Sequence, residues 1–114
     1  TICKEIVETI ATSAEKYGAK AEVFVDNKYD SFAVAEDSDV VALAKAACAM
    51  HGFTPDITVT GGGSDANFFN AYGLPSVILG TGMSNVHTVD EFIKEEDLYN
   101  SALMVHGILK AAAK

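Results

Sequence analysis

The stretch Gly61-Gly62-Gly63-Ser64 has the residue types of a ligand-binding turn. It follows a short run of strand-forming residues at 57–60 and precedes a helical pattern. Glycines let backbone N–H groups approach a ligand closely, and a helix N-terminus adds unpaired N–H groups and a positive dipole end. Together these features suit an anion such as a carboxylate or a phosphate. A tight turn in which Ser64 only caps the helix explains the same residues.

Two known phosphate-binding patterns can be compared with this turn. A P-loop requires a glycine followed by lysine and then serine or threonine, and no lysine lies near the turn. The spacing of Gly61, Gly63 and Ala66 does match the dinucleotide-binding fingerprint. That fingerprint also expects an acidic residue about 20 positions further on, at the end of a second strand, and none is present. A nucleotide-binding α/β domain therefore stays a weak alternative.

His87 is the second candidate for chemistry. It lies in the loop 80–91, after the C-terminal end of a predicted strand, where open α/β sheets place their binding sites. A neutral imidazole is a good zinc ligand, and the neighbouring carboxylates of Asp90 and Glu91 can orient it or carry protons. The alternative is structural, because Thr88-x-x-Glu91 is also a capping box and His87 is then an exposed loop residue.

The remaining histidines and cysteines are predicted to be structural. His51 stands at the end of a predicted helix, where a histidine suits the negative end of the helix dipole, and His106 lies inside another helix. Cys48 falls on an apolar helix face and is expected in the core as a reduced thiol. Cys3 is its only counterpart, and two distant cysteines do not suggest a disulfide framework.

Composition excludes several classes of protein. The net charge is −8 and none of the eight basic residues is an arginine, so no basic stripe for nucleic acid exists. No apolar run is long enough to span a membrane, and no cleavable signal pattern opens the chain. These features predict an acidic protein of the cytoplasm. The chain starts at Thr1 within an amphipathic pattern, and we interpret it as a piece of a longer protein.

Hydrophobic periodicity predicts alternating helices and strands. Apolar residues recur at helical spacing in three segments, and a fourth, short helix is predicted between the cap at Ser64 and Gly73. Short runs rich in β-branched and aromatic residues lie between the helices. Such alternation predicts an α/β fold with mostly parallel strands. The predicted helices are 2–17, 39–51 with Asp37 or Ser38 as N-cap, a short helix from Ser64 to Gly73, and 95–112; the predicted strands are 21–25, 57–60 and 76–79, with a less regular extended stretch at 29–34.

Three segments in order resemble one family of enzymes. They read TGGGSDANFFN at 60–70, YGLPSVILGTG at 72–82 and NVHTVDEFI at 85–93. Together they are similar to the zinc metallopeptidases that include peptidase T, carboxypeptidase G, aminoacylase and succinyl-diaminopimelate desuccinylase, and most of all to the peptidase T-like branch. Residues 37–114 match throughout, and 1–35 match more loosely.

The resemblance implies a site and a reaction. Family members hold two zinc ions with a bridging aspartate, two histidines and further acidic residues, and a glutamate activates the bridging water. The last metal-ligand histidine maps onto His87. Gly62, Gly63 and Ser64 are expected beside the substrate, with Asn67 as a further candidate; Asp65 is expected to hold the turn without binding metal. Cobalt or manganese are alternative metals, and a small peptide or an N-acyl amino acid is the expected substrate.

The chain also departs from the family pattern. The early His-x-Asp motif, the Glu-Glu pair and the later acidic ligand are absent, as is the arginine that commonly binds the substrate carboxylate. No catalytic residue is therefore expected in this segment, and the chain alone is expected to be inactive. The resemblance implies that 1–35 end a lid or dimerisation domain and that 36–114 are the C-terminal part of a catalytic domain. A homodimer or self-associating chain is expected; an independently folded binding module without catalysis is the alternative.

Overall fold

The computed structural model describes residues 2–113, and their regular structure consists of four α-helices. Three of them had been predicted from an apolar stripe at helical spacing and the short one from its cap and its glycine stop, and all four are confirmed. Only the last residues of the first and third helices differ from the prediction. The helices are α1 (Ile2–Lys16), α2 (Asp39–His51), α3 (Asp65–Ala71) and α4 (Glu95–Ala112).

The predicted strands are wrong for this chain. Within residues 2–113, the segments 21–25, 57–60 and 76–79 form no β-ladder, and neither does 29–34. The β-pairing in this part of the chain is one antiparallel bridge between Ser84 and Phe92. A strand needs hydrogen bonds to a neighbour, and strand-forming side chains alone do not supply them. The predicted α/β class is therefore corrected: the regular elements of the described chain are all helical.

The main tertiary contact is the packing of α2 against α4. Ala47 is completely buried there, and it faces Gly107, which is also buried. A Cβ atom placed on Gly107 would lie 2.9 Å from the Cβ of Ala47, so the small residues let the two helices approach closely. Cys48 is buried on the same face, with its Sγ 3.8 Å from Sδ of Met104. The prediction that Cys48 belongs to the core is confirmed.

The ends of α2 follow the signals in the sequence. Ser38 is the N-cap residue, although its side chain makes no capping hydrogen bond. Gly52 ends the helix in the left-handed region, with φ of 72°, which costs glycine no steric penalty. The backbone N–H of Phe53 then donates to the carbonyl of Cys48 at 2.9 Å. This end places His51 at the last position of α2.

Much apolar surface in the described chain has no cover. The radius of gyration is 20.0 Å, against about 13–14 Å for a compact chain of this length. No residue of α1 is buried, and Ile2 is 75% exposed. A shallow apolar groove also runs beside α2 and α4, lined by Val40, Leu43, Val77 and Ile108. No helix of the described residues has the length and apolar character to cross a membrane.

Candidate functional site

The glycine turn leads directly into α3, and Ser64 caps that helix. Ser64 Oγ accepts a hydrogen bond from the N–H of Ala66 at 3.2 Å. In return, the N–H of Ser64 donates to Oδ1 of Asn67 at 2.9 Å, which completes a capping box. The prediction that Ser64 caps the helix is therefore confirmed. Its hydroxyl proton remains available to a ligand, because the cap uses Oγ only as an acceptor.

Asn67 holds the turn to a segment far away in the sequence. It is 7% exposed, and its Nδ2 donates to the backbone carbonyl of Asp30 at 2.8 Å. Its Oδ1 is occupied by the N–H of Ser64. A buried amide with both ends engaged fixes two pieces of backbone at once. Asn67 therefore braces the turn from within the protein.

The ring of Tyr29 covers one glycine of the turn. A Cβ atom placed on Gly63 would overlap with the hydroxyl oxygen and Cζ of Tyr29. The same ring meets Phe68 edge to face, with ring centroids 6.1 Å apart. Gly61 differs, because a Cβ atom there would meet nothing within 4 Å. The face of the turn at Gly61 is therefore open, whereas the face at Gly63 is occupied by Tyr29.

The far end of α3 is tied to the chain that follows it. Asn70 Nδ2 donates to the carbonyl of Ser76 at 2.9 Å, and Asn70 Oδ1 accepts from the N–H of Ser76 at 3.1 Å. The side chain thus pairs with backbone as a neighbouring strand would. Sequence reasoning missed Tyr29 and Asp30, because their contacts depend on which distant segments meet. It also missed Asn70, whose partner Ser76 is only six residues away, because no known motif indicated that pairing.

His87 lies on a short loop whose ends are joined. Ser84 and Phe92 exchange two backbone hydrogen bonds, of 2.9 Å and 3.1 Å. Within the loop, the N–H of His87 donates to the Glu91 carboxylate at 2.7 Å. His87 itself has a φ of 66°, which is rare for a residue with a side chain. The loop therefore holds the backbone of His87 firmly while the residue stays exposed.

The predicted capping box at Thr88 does not start a helix. Thr88 Oγ1 accepts from the N–H of Asp90 at 3.2 Å and donates to the carbonyl of Asn85 at 2.8 Å. Thr88 lies between two short turns, at 86–87 and 89–90, and no helical turn begins there. The Glu91 carboxylate accepts a hydrogen bond from the N–H of His87 and not from that of Thr88. The predicted capping box is therefore wrong, because no helix begins at Thr88. The side chains of Thr88 and Glu91 do form hydrogen bonds with the local backbone, as a structural role requires.

The base of this loop sits on the start of α4. A Cβ atom on Gly82, which has a φ of 83°, would lie 2.6 Å from the Cβ of Asp97. Ser101 Oγ is 3.4 Å from the carbonyl of Thr81. The loop is thereby anchored to α4, whereas the glycine turn is anchored to residues 29 and 30. No hydrogen bond among the described residues joins His87 to the turn.

The described residues do not by themselves form a structural or catalytic zinc site with three or more protein ligands. Structural and catalytic zinc ions take at least three protein ligands. No group of three or more histidine, cysteine, aspartate or glutamate residues within 2–113 is arranged to hold a metal. His87 can supply one imidazole ligand, and no hydrogen bond occupies its ring within that range.

Comparison with known proteins defines the class of this chain. The model of peptidase family M20/M25/M40 matches residues 4–111, which is nearly the whole chain. The chain belongs to this peptidase family. A relative from Bacillus subtilis, the uncharacterized protein YqjE, is 37% identical over 102 residues. That match covers 90% of this chain and 28% of the relative.

Two solved structures have the same fold over this region. The aminopeptidase PepT of Bacillus cereus is 37% identical, and the match has a TM-score of 0.78 and covers 98% of this chain. A tripeptidase of Staphylococcus aureus is 34% identical, with a TM-score of 0.82 and 97% of this chain covered. The chain spans 30% of the length of each of these two proteins. The predicted resemblance to the peptidase T-like family is confirmed.

Proposed function

We propose that this chain is the C-terminal part of a metal-dependent aminopeptidase or related amidohydrolase that hydrolyses a small peptide or an N-acyl amino acid. Membership of the peptidase family, and likeness to a PepT aminopeptidase and a tripeptidase, support the reaction class. In this proposal, 1–35 end a lid domain and 36–114 close the catalytic domain. The chain alone is inactive, because the remaining ligands and the general base come from elsewhere in the full-length enzyme.

His87 is the metal ligand in this proposal, and one observation carries it. Its backbone is held by Glu91 and by the closed loop 84–92, while the residue itself stays exposed. A ligand needs this combination of a fixed main chain and a free imidazole. The metal, zinc with cobalt or manganese as substitutes, would supply an activated water. His87 would contribute one nitrogen and no proton transfer.

In this proposal, the glycine turn lines the pocket that binds the substrate. The open face at Gly61, together with the Ser64 hydroxyl, offers hydrogen-bond donors to a substrate carboxylate or carbonyl. Gly62 lies beside them, and its N–H donates to Oγ1 of Thr60 at 3.3 Å, a bond that a substrate would replace. Gly63 contributes by admitting Tyr29 against the turn, and Asn67 contributes by fixing the backbone of Ser64. The turn binds and orients, and it holds no metal.

Replacement of His87 tests the proposal. In the full-length enzyme, H87A is expected to lose bound metal, and hydrolysis of a tripeptide should fall by at least about 100-fold. V89A is the matched control, because Val89 lies in the same loop with its side chain fully exposed. Metal content is measured by mass spectrometry and turnover by release of the N-terminal amino acid. Wild-type metal content and turnover in H87A would refute the assignment.

A further inference from the structure

Two histidines meet at the contact between α2 and α4. Nε2 of His51 lies 3.3 Å from Nδ1 of His106. The ring centroids are 5.4 Å apart and the ring planes are inclined by 53°. Within residues 2–113, neither ring makes another hydrogen bond. The sequence had assigned both residues structural roles, and nothing in it indicated that they would come together from positions so far apart.

The separation of the two nitrogens is compatible with both of them binding one metal ion. Zinc binds imidazole nitrogen at about 2.0–2.1 Å in tetrahedral geometry, so two imidazole ligands of one ion lie about 3.3–3.4 Å apart. Without a metal, the same distance is an N–H···N hydrogen bond in which one of the facing nitrogens carries a proton. A neutral imidazole can move that proton to its other nitrogen, which leaves two lone pairs facing each other.

The backbone beneath the pair is already in position. Gly107 and Ala47 hold the helices in close contact, and a Cβ atom on Gly107 would also lie 3.2 Å from Cδ2 of His51. Little rearrangement is therefore needed when an ion binds. His51 is half-buried and His106 is exposed, so an ion can enter from solvent and keep water on its remaining positions.

The charges near the pair also favour a cation. His51 is the last residue of α2, at the negative end of the helix dipole. The net charge of the chain is −8. Lys110 lies one turn after His106 on α4, and its positive charge would oppose a bound cation. It is exposed, so its side chain can extend into solvent away from the site.

We propose that His51 and His106 form a metal site separate from His87, which binds one divalent transition-metal ion of the zinc, nickel or copper type. Imidazole nitrogen suits these ions, and water completes the coordination. Because the two ligands come from different helices, the bound ion holds α2 to α4. The site does not depend on the proposed peptidase chemistry.

Calorimetric titration of the 114-residue chain with Zn²⁺, and separately with Ni²⁺, tests this proposal. One ion per chain is expected, and H51A and H106A should each bind at least about tenfold more weakly, because a chelate is reduced to a single ligand. The titrated proteins all carry H87A, so that the proposed ligand His87 cannot contribute to the binding that is measured. Equal affinity in H51A, or no binding by the parent protein that carries H87A alone, would overturn the proposal.

A second pair of measurements separates coordination from folding. H51Q keeps a side chain that can donate and accept a hydrogen bond but does not coordinate zinc well, so it should retain helical circular dichroism and lose the tight site. Saturating Zn²⁺ should raise the melting temperature of the wild type and leave that of H51Q unchanged, because only an ion bound to the folded state stabilises it. Equal rises in both proteins would show that the ion binds elsewhere.

Discussion

The ring of Tyr29 lies directly against Gly63, in the space that any side chain at position 63 would need. This contact connects an irregular segment to the turn that we propose binds substrate. The neighbouring hydrogen bond from Asn67 to the carbonyl of Asp30 closes the same junction. The shape of the turn therefore depends on residues more than thirty positions earlier in the chain.

Replacement of Gly63 by alanine should displace Tyr29. The added methyl group cannot share space with the ring, so the ring must move, and a loss of about 1–3 kcal/mol in the free energy of unfolding is expected. G61A is the matched control, because a Cβ atom there meets nothing within 4 Å. Urea denaturation of the full-length enzyme measures both.

The clash with Tyr29 should account for the loss of unfolding free energy in G63A. In the double variant Y29A/G63A the clash no longer exists, so the two substitutions should be less destabilising together than the sum of their separate effects. Simple additivity in this cycle would show that Gly63 is constrained by something other than Tyr29.

Replacement of Asn67 by aspartate should split its two roles. Aspartate keeps an acceptor for the N–H of Ser64 and loses the donor to Asp30, whose carbonyl is then unpaired or repelled. A loss of about 1–3 kcal/mol in unfolding free energy is expected. Faster amide hydrogen exchange should be confined to residues near 29–31, with the Ser64 amide still protected. S31A, at an exposed position next to Asp30, is the control. Equal loss of protection at Ser64 would contradict the division of roles.

Replacement of Ser64 by alanine tests whether the glycine turn contacts the substrate. S64A in the full-length enzyme should raise KM or lower turnover by about three- to tenfold, the value of one hydrogen bond, with metal content intact. Part of any effect comes from the lost cap, which is worth about 1 kcal/mol. S38A is the comparison, because Ser38 begins α2 without a capping hydrogen bond from its side chain. Loss of bound metal in S64A would count against a purely substrate-binding turn.

The chain by itself should associate with further copies. Ile2, Ile6 and Ile10 of α1 are exposed, and the groove beside Leu43 is open, so association would bury apolar surface at about 25 cal/mol per Å². The strand-forming segments would also gain backbone partners. Sedimentation velocity at low micromolar concentration should show dimers or larger species, reduced in L43K if the groove is the contact. A well-folded monomer would favour the independent-module alternative.

Local signals predicted the helices well and the strands badly, for one physical reason. A helix satisfies its backbone within one segment, so the stripe Val40, Leu43, Ala47 and the stop at Gly52 were sufficient to locate α2. The segment 76–79 has equally clear strand-forming residues, but a strand is completed only by a neighbour. In the described chain its first residue is paired by the side chain of Asn70 instead.

The sequence by itself determined the family, the four helices, the cap at Ser64 and the candidate ligand His87, because each depends on residues close together in the chain. Only the tertiary structure decided that Tyr29 covers Gly63, that Asn67 binds Asp30, and that His51 meets His106. Those pairs are separated by tens of residues, and their distances follow from how segments pack, which is a cooperative property of the whole chain and not of any local pattern.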